Sequence, residues 1–322
     1  MKFVFVPPHN SLVAGWVSRL QDSVPGVEFV APATEDETVK EIANADAAFG
    51  TLSKRVLAAG QNLKWVQAPA AAPNAGYYYP ELIAHPAQVT NFREIYNDHI
   101  STHILAVLLS FAKHLNIYRD QQREHNWAPL QSPQFHSTFL PESTVLIVGL
   151  GGIGAETARL CAALGMKVIG TDARRESKPE WVDEMGGADD LDAFLGRADF
   201  VVLTIPHTPQ TEGMFNRSKF KLMKKSAIFI NIGRGMTTKL DDLADALEAG
   251  DIAGAGLDVY EIEPLPAEHR LWDAPNTILT PHIAAQGGAH LEERRYEIIL
   301  ENVRHLVNGE PLRNLVDKKN WF

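Results

Sequence analysis

Three side chains able to bind charge or move a proton stand at the same kind of place in this chain, at or just beyond the end of an apolar run. Arg234 ends the run of AIFINIGRG, Glu263 follows in AGAGLDVYEIEPLP, and His282 follows in ILTPHIAA. Imidazole titrates near neutrality, at about 6.5, so His282 is suited to giving and taking a proton. A carboxylate beside it, Glu263, would favour the protonated ring and fix its orientation. The guanidinium of Arg234 offers a fork of donors that can grip a carboxylate and polarise a neighbouring carbonyl. Each residue also has a plain alternative. Arg234 fits a surface ion pair, Glu263 a loop carboxylate before Pro264, and His282 a packed core histidine or a metal ligand.

The segment VLIVGLGGIGAETARLCAALGMKVIGTD changes that balance. It holds Gly-x-Gly-x-x-Gly at Gly149, Gly151 and Gly154, after an apolar strand and before an Ala-rich helix, with Asp172 ending the next strand. Gly149 allows a tight turn, Gly151 lets the backbone approach a pyrophosphate, and Gly154 lets helix pack on strand. Gly152 and Ile153 complete the turn, and the helix N-terminus presents N–H groups and partial positive charge to phosphate. Asp172 would accept hydrogen bonds from ribose hydroxyls and repel a 2′-phosphate, which favours NAD. Arg174 and Arg175 follow at once and keep NADP open as the cofactor. Hydride delivered by a nicotinamide to a carbonyl carbon leaves an oxygen that needs a proton. Open α/β sheets bind ligands beyond the carboxyl ends of their strands. Arg, Glu and His gathered there around one nicotinamide amount to a 2-oxo-acid reductase.

The whole chain sets bounds on this reading. Its 322 residues suggest two domains, and 45% hydrophobic with 22% charged content is ordinary for a soluble globular protein. A formal net charge of −10 argues against nucleic acid or an anionic membrane as partner. The one cysteine, Cys161, excludes an intrachain disulfide and suggests a reducing compartment; within ARLCAALG it reads as a small buried residue. The start MKFVFVPPHN is too short for a signal-peptide core, and no uninterrupted apolar run reaches 18 residues, so a cytoplasmic protein is expected. His99 and His103 are one helical turn apart, but Ile-Ser-Thr lies between them and no third ligand is evident, so no metal site is expected. His207, in TIPHTPQT, reads as a loop residue or cofactor neighbour, and the charges of HLEERRYEIILENVRH as a solvated helix face.

Strands and helices alternate twice along the chain. KFVFV, VEFVA, AAFGT, KWVQA and QVTNF read as strands of a first series, with helices at SLVAGWVSRLQDS and EDETVKEIANA. Residues 98–126 read as one long amphipathic helix capped by Asp98. After a proline-marked loop a second series runs through STVLIVG, KVIGTD, FVVLTIP, AIFINIG, AGAGLDVY and TILTP. The expectation is an α/β protein of two doubly wound parallel-sheet domains. A dinucleotide-binding Rossmann domain, 98–290, is inserted into a flavodoxin-like substrate-binding domain, 1–97 plus 291–322.

The succession GLGGIG, Asp172, TIPHTPQTEGMF, NIGRG, GLDVYEIEPLP and LWDAPNTILTPHIA closely resembles the D-isomer-specific 2-hydroxyacid dehydrogenase family, whose members include glyoxylate/hydroxypyruvate reductases and phosphoglycerate dehydrogenases. The resemblance is dense over residues 143–290; over 1–97 it lies mainly in element order. It implies that Arg234 binds substrate carboxylate and carbonyl, and that His282 is the acid/base with Glu263 as partner. It implies that Asp258 contacts the nicotinamide end, and that Ile205, Pro206 and Ile232 line the cofactor. Glu263 stands where the family's formate dehydrogenases carry glutamine, which argues against that branch. The resemblance also implies a homodimer interface built on residues 98–126 and a small 2-oxo or 2-hydroxy acid held between the domains. After KWVQA the family usually carries a short Gly-containing turn that holds the substrate carboxylate. Here Ala70 and Ala71 take that place within PAAAPNAGYYYPE, and Tyr77–Tyr79 either cap the substrate site or pack; packing is favoured. A second reading, from another class, is a dinucleotide-sensing, corepressor-like binding protein of the same fold.

Overall fold

Short runs rich in Val, Ile, Phe and Ala make strands that are buried on both faces, and a helix returns the chain to the same sheet edge after most of them, so the strands pair in parallel. The computed structural model describes residues 1–71, 76–130, 138–286 and 289–319. The chain folds into two compact units, Met1–Ile95 with Gly287–Phe322, and Tyr96–Gln286.

The first unit begins β1 (Lys2–Phe5), α1 (Ser11–Ser23), β2 (Glu28–Val30), α2 (Glu35–Ile42), β3 (Ala47–Phe49), α3 (Lys54–Ala59), β4 (Trp65–Gln67), α4 (Pro80–Ala84) and β5 (Gln88–Thr90). Its sheet order, β2-β1-β3-β4-β5, is the flavodoxin-like one. Local signals start the helices: Asn10 accepts from the Val13 N–H, and Thr34 with Glu37 forms a capping box on α2. Inside the sheet, Trp65 Nε1 donates to Thr90 Oγ1 at 2.7 Å, and that hydroxyl donates to Gln67 Oε1 at 2.7 Å. This buried relay joins β4 to β5 where a lone amide would be costly. Tyr77 and Tyr78 pack into the core, edge to face at 5.0 Å. The Tyr77 and Tyr79 hydroxyls donate to the carbonyls of Gly50 at 3.2 Å and Leu52 at 2.9 Å. The tyrosines thus serve packing; residues 72–75 of their loop lie outside the described residues.

The second unit contains α5 (Asn97–Ala112), α6 (Leu115–Arg123), β6 (Thr144–Val148), α7 (Gly152–Ala163), β7 (Lys167–Thr171), β8 (Glu184–Gly186), α8 (Leu191–Leu195), β9 (Phe200–Leu203), α9 (Arg217–Phe220), β10 (Ile228–Asn231), α10 (Leu240–Ala249), β11 (Gly254–Leu257) and β12 (Thr277–Leu279). The order β12-β11-β10-β9-β6-β7-β8 is the Rossmann arrangement with one further strand, and its switch point lies between β6 and β9. The strand β8 was not legible as one: three part-buried residues, Glu-Met-Gly, carry no apolar alternation.

The single helix expected over 98–126 is instead α5 and α6, bent by 69°. His114 takes a left-handed φ of 53°, which no α-helix can carry through, while the Lys113 and His114 N–H groups close the last turn on Leu109 and Phe111. Nor is Asp98 the cap. Tyr96 holds that position without a side-chain bond, and Asp98 lies in the first turn, favourable to the helix dipole. Among the described residues no single helix is long and apolar enough to cross a membrane.

The last helix, α11 (Ala289–Asn308), belongs to the first unit and buries Leu291, Tyr296, Ile298, Ile299 and Val303. Its charges are not all on a solvated face: Glu293 pairs with Arg19 at 2.6 Å, and that guanidinium covers the Tyr296 ring at 3.6 Å, but Glu292 and Arg295 are part-buried and Arg295 lies over the Phe92 ring.

In the second unit Phe215, Phe220 and Phe229, each fully buried, pack mutually with centroids 5.1 to 6.2 Å apart. Phe229→Ala therefore costs this unit about 3–5 kcal/mol. Urea unfolding followed by circular dichroism checks this; a loss below about 1 kcal/mol would contradict the packing described.

Candidate active site

The turn after β6 admits no side chains at two points. Gly149 has φ +96°, and a Cβ there would stand 2.8 Å from Ile205 Cγ2. A Cβ on Gly154 would stand 1.9 Å from the Gly149 carbonyl oxygen, so only glycine lets α7 approach its own strand this closely. Gly151 differs. It is exposed, caps α7, and has nothing within 4 Å of an added Cβ. Beside it the N–H groups of the first helical turn have no intrahelical partner, so the turn forms an open, electropositive cradle that fits a pyrophosphate. Gly152 makes room for Asn97, whose Nδ2 would lie 2.4 Å from an added Cβ, and Ile153 is part-buried in the same turn. Thr204, which the motif does not include, secures the turn from β9 by donating its hydroxyl to the Gly149 carbonyl at 2.6 Å. Ile205 and exposed Pro206 follow it, and Ile232 is buried beyond β10.

At the end of β7, Asp172 accepts from the N–H of Leu150 at 2.7 Å and from those of Arg174 and Arg175 at 2.9 Å each. Desolvation pushes its pKa up, but these backbone donors and the nearby Arg175 charge outweigh that and leave it below the usual value. The group is therefore a carboxylate at neutral pH. Arg175 folds onto the turn and donates to the carbonyls of Leu150 at 2.8 Å and Ser177 at 2.9 Å. Arg174 is exposed next to it.

Beyond β11 and β12 lies a histidine–carboxylate pair. His282 Nδ1 is 2.7 Å from Glu263 Oε2, and the other oxygen, Oε1, accepts from the Tyr260 N–H at 3.0 Å. Nδ1 thus faces a fixed carboxylate, which makes it the protonated nitrogen and leaves Nε2 to exchange a proton. The imidazole is 48% exposed, so a reacting group can reach it. His282 has a left-handed φ of 53°, a conformation that costs a non-glycine residue about 1–3 kcal/mol and needs support from its surroundings.

That support is Asp258. It is 1% exposed, and it accepts from Thr280 Oγ1 at 2.6 Å, the Ile283 N–H at 2.9 Å and the Ala284 N–H at 2.9 Å. The carboxylate therefore holds both flanks of His282.

Arg234 extends from the loop after β10, which buried Asn231 shapes by accepting from the Gly233 N–H and donating to the Arg234 carbonyl. Gly235 is required there, since an added Cβ would stand 1.8 Å from the Tyr260 carbonyl oxygen. Burial lowers the guanidinium's pKa and the Glu263 carboxylate works against that; a guanidinium stays charged at neutral pH even so, and Arg234 lies within the field of Glu263. The sequence did not single out Thr204, Asn231, Tyr260 or Thr280. Thr204 and Thr280 act by contacts distant along the chain, whereas Asn231 and the Tyr260 N–H shape their own loops, where no motif marks them.

Residues 105–284 match the D-isomer specific 2-hydroxyacid dehydrogenase, NAD binding domain, family model. The chain belongs to this family. It is 30% identical over 301 residues to the glyoxylate reductase of Thermofilum pendens, a match that covers 89% of this chain and 86% of that one. It is 34% identical over 215 residues to the glyoxylate/hydroxypyruvate reductase A of Yersinia enterocolitica, across 67% of this chain and 66% of that protein. Among solved structures, the D-isomer specific 2-hydroxyacid dehydrogenase from Xanthobacter autotrophicus Py2, in complex with NADPH and MES, superposes with a TM-score of 0.85 at 28% identity, covering 100% and 99% of the two chains. As a member of this dehydrogenase family the chain is an NAD(P)-dependent oxidoreductase of 2-oxo and 2-hydroxy acids.

In the other unit, Ala70 and Ala71 follow β4 and are part-buried, and Asn91 Nδ2 donates to the Ala71 carbonyl at 2.8 Å. Of the other histidines weighed from the sequence, His99 Nε2 meets the Gln286 carbonyl, and His207 Nε2 lies 3.5 Å from Glu212 without a hydrogen bond. Cys161 is buried, which pushes its thiol up to about 12 and removes it as a nucleophile.

The two glycines of the cradle separate fold from binding. Gly151→Val leaves the unfolding temperature within a few degrees but weakens NAD(P)H binding by about tenfold or more, because the side chain enters the phosphate space. Gly154→Val lowers both. Thermal unfolding and nicotinamide fluorescence titration distinguish them, and unchanged affinity in Gly151→Val would refute the cradle.

Proposed function

We propose that this dehydrogenase interconverts a short 2-oxo acid and its D-2-hydroxy acid, with Arg234, Glu263 and His282 as the catalytic residues. The observation that carries the assignment is the 2.7 Å contact of His282 Nδ1 with Glu263, which commits one ring nitrogen and leaves Nε2 for the substrate oxygen. When bound, the nicotinamide supplies the hydride that reduces the carbonyl carbon. The turn of Gly149, Gly151, Gly152, Ile153 and Gly154 holds the pyrophosphate, and Asp172 takes the ribose hydroxyls. Ile205, Pro206 and Ile232 line the rest, with Asp258 toward the nicotinamide end. Arg234 binds the substrate carboxylate and polarises its carbonyl, and the backbone of Ala70 and Ala71 supplies further donors to that carboxylate.

In reduction, His282 Nε2–H passes its proton to the carbonyl oxygen as negative charge builds there, and Glu263 stabilises the cationic ring before transfer. In oxidation the neutral Nε2 removes the hydroxyl proton. One ring therefore serves both directions, as the acid in reduction and as the base in oxidation.

Short substrates such as glyoxylate, hydroxypyruvate or pyruvate fit a site whose recognition rests on one guanidinium and backbone donors. The ionised Asp172 favours NAD, while Arg174 and Arg175 at the same turn keep NADP acceptable. Exposed Leu115, Tyr118, Trp127 and Phe139 support a homodimer built around the 98–126 segment. A net charge of −10 speaks against nucleic acid and membrane partners, and one buried free cysteine suits the cytoplasm. The reductases named among its relatives support turnover over a purely dinucleotide-sensing role.

A screen of NADH and NADPH oxidation against short 2-oxo acids tests substrate class and cofactor together. His282→Ala should lower kcat by about 10²–10⁴-fold, and Arg234→Lys should mainly raise KM for the 2-oxo acid. Turnover that survives His282→Ala overturns the assignment of the proton donor.

A further inference from the structure

We propose that Thr280 and His103, neither of which touches the reacting atoms, are positioning residues that lock the His282 loop through Asp258. The proposal rests on His282 being the acid–base residue. His103 lies on α5, and its Nε2 is 3.2 Å from Thr280 Oγ1 and 4.0 Å from Asp258 Oδ1. Proton bookkeeping orients this chain. Thr280 Oγ1 carries one hydrogen and lies 2.6 Å from the Asp258 carboxylate and 3.3 Å from the Leu257 carbonyl, so the hydrogen goes to the shorter, charged acceptor. Toward His103 the hydroxyl can then only accept, and His103 must donate from Nε2. The order of donation is His103 Nε2–H to Thr280 Oγ1–H to Asp258, and Asp258 in turn fixes the Ile283 and Ala284 N–H groups.

The consequence falls on His282 because its own backbone is held only by neighbours. Its N–H donates to the Thr280 carbonyl at 3.0 Å, and that same carbonyl accepts from the Tyr260 hydroxyl at 2.9 Å. Thr280 is thus tied by its side chain to Asp258 and by its backbone to both His282 and Tyr260, whose N–H orients Glu263. Losing the Thr280 hydroxyl removes one of the two donors to Asp258 Oδ1, which keeps only the Ile283 N–H, and ends the hold of Asp258 on the N-terminal flank of the left-handed His282. Losing His103 removes the donor that orients the hydroxyl. Neither change touches Arg234 or the glycine cradle.

Four variants test this in the full-length protein: Thr280→Val, which keeps shape but removes the hydroxyl; Thr280→Ser, which restores it; His103→Leu; and the Thr280→Val/His103→Leu double variant. Thr280→Val and His103→Leu should each lower kcat by about tenfold to 100-fold, while KM for the 2-oxo acid and the dissociation constant for NAD(P)H stay within about twofold. Thr280→Ser should recover most of the lost kcat. The double variant should be no slower than the slower single one, because both changes break one chain. Equal losses in kcat and cofactor affinity, no recovery by Thr280→Ser, or additive losses in the double variant would overturn the proposal. So would unchanged kcat in Thr280→Val. His282→Ala, run alongside, keeps the two claims apart. If it abolishes turnover while Thr280→Val does not affect it, the positioning claim alone fails; if it leaves turnover intact, the proton-donor reading fails.

Discussion

The loop that carries His282 depends on one carboxylate that solvent barely reaches. Asp258 is 1% exposed, and a charge buried that deeply is tolerated only when donors replace its lost hydration. Here a hydroxyl and two backbone N–H groups do so, and all three lie within residues 280–284, around His282. The need to satisfy the charge and the need to hold a strained histidine are met by the same bonds. Breaking a buried charged network of this kind by removing one partner costs about 3–5 kcal/mol, more than the strain of a left-handed residue. The bonds to Asp258 therefore decide the backbone of His282, and not its own conformational preference.

The same economy governs the loop after β10. Asn231 is fully buried, yet its amide is used on both sides, accepting from Gly233 and donating to the Arg234 carbonyl and the hydroxyl of Thr238. Gly235 then lets this loop touch the backbone of Tyr260, the residue whose N–H orients Glu263. The loop of Arg234 and the residues that hold Glu263 are thus tied by main-chain packing. Preorganisation of this kind matters because a misplaced charge or proton donor loses most of its catalytic effect.

How much of this was readable in the sequence depends on how local the cause is. The strand–helix alternation, the glycine turn and Asp172 are set by neighbours within a few dozen residues, and the element order follows them closely. Helix continuity over 98–126 misled because the apolar periodicity runs across Lys113 and His114, where a left-handed residue interrupts it; no glycine or proline marks the break. The strand β8 is too short and polar to announce itself. Within the site, Arg234, Glu263 and His282 stand out by type and motif. Thr280 and His103 do not, because their roles come from partners far along the chain: they meet across 177 positions. Asn231 does not either, since its loop contacts follow from the backbone turn after β10 and from no motif.

Two regions beyond the carboxyl ends of the Rossmann strands solve opposite problems. At β6 the chain removes side chains, so that main-chain N–H groups lie bare to an anion, and Gly151 borders empty space by necessity. At β11 and β12 it adds polar side chains and uses up nearly every donor on one another. The cofactor region stays open because its ligand supplies the missing hydrogen-bond partners; the His282 region is closed by its own bonds, which hold one ring nitrogen still while the other stays free. His282, with Nδ1 committed to Glu263 and nearly half of its side chain exposed, is where that closure stops. A histidine sunk further would gain rigidity and lose the substrate; one held only by Glu263 would swing about a single bond. The left-handed backbone and the Asp258 network behind it fix the ring without burying it.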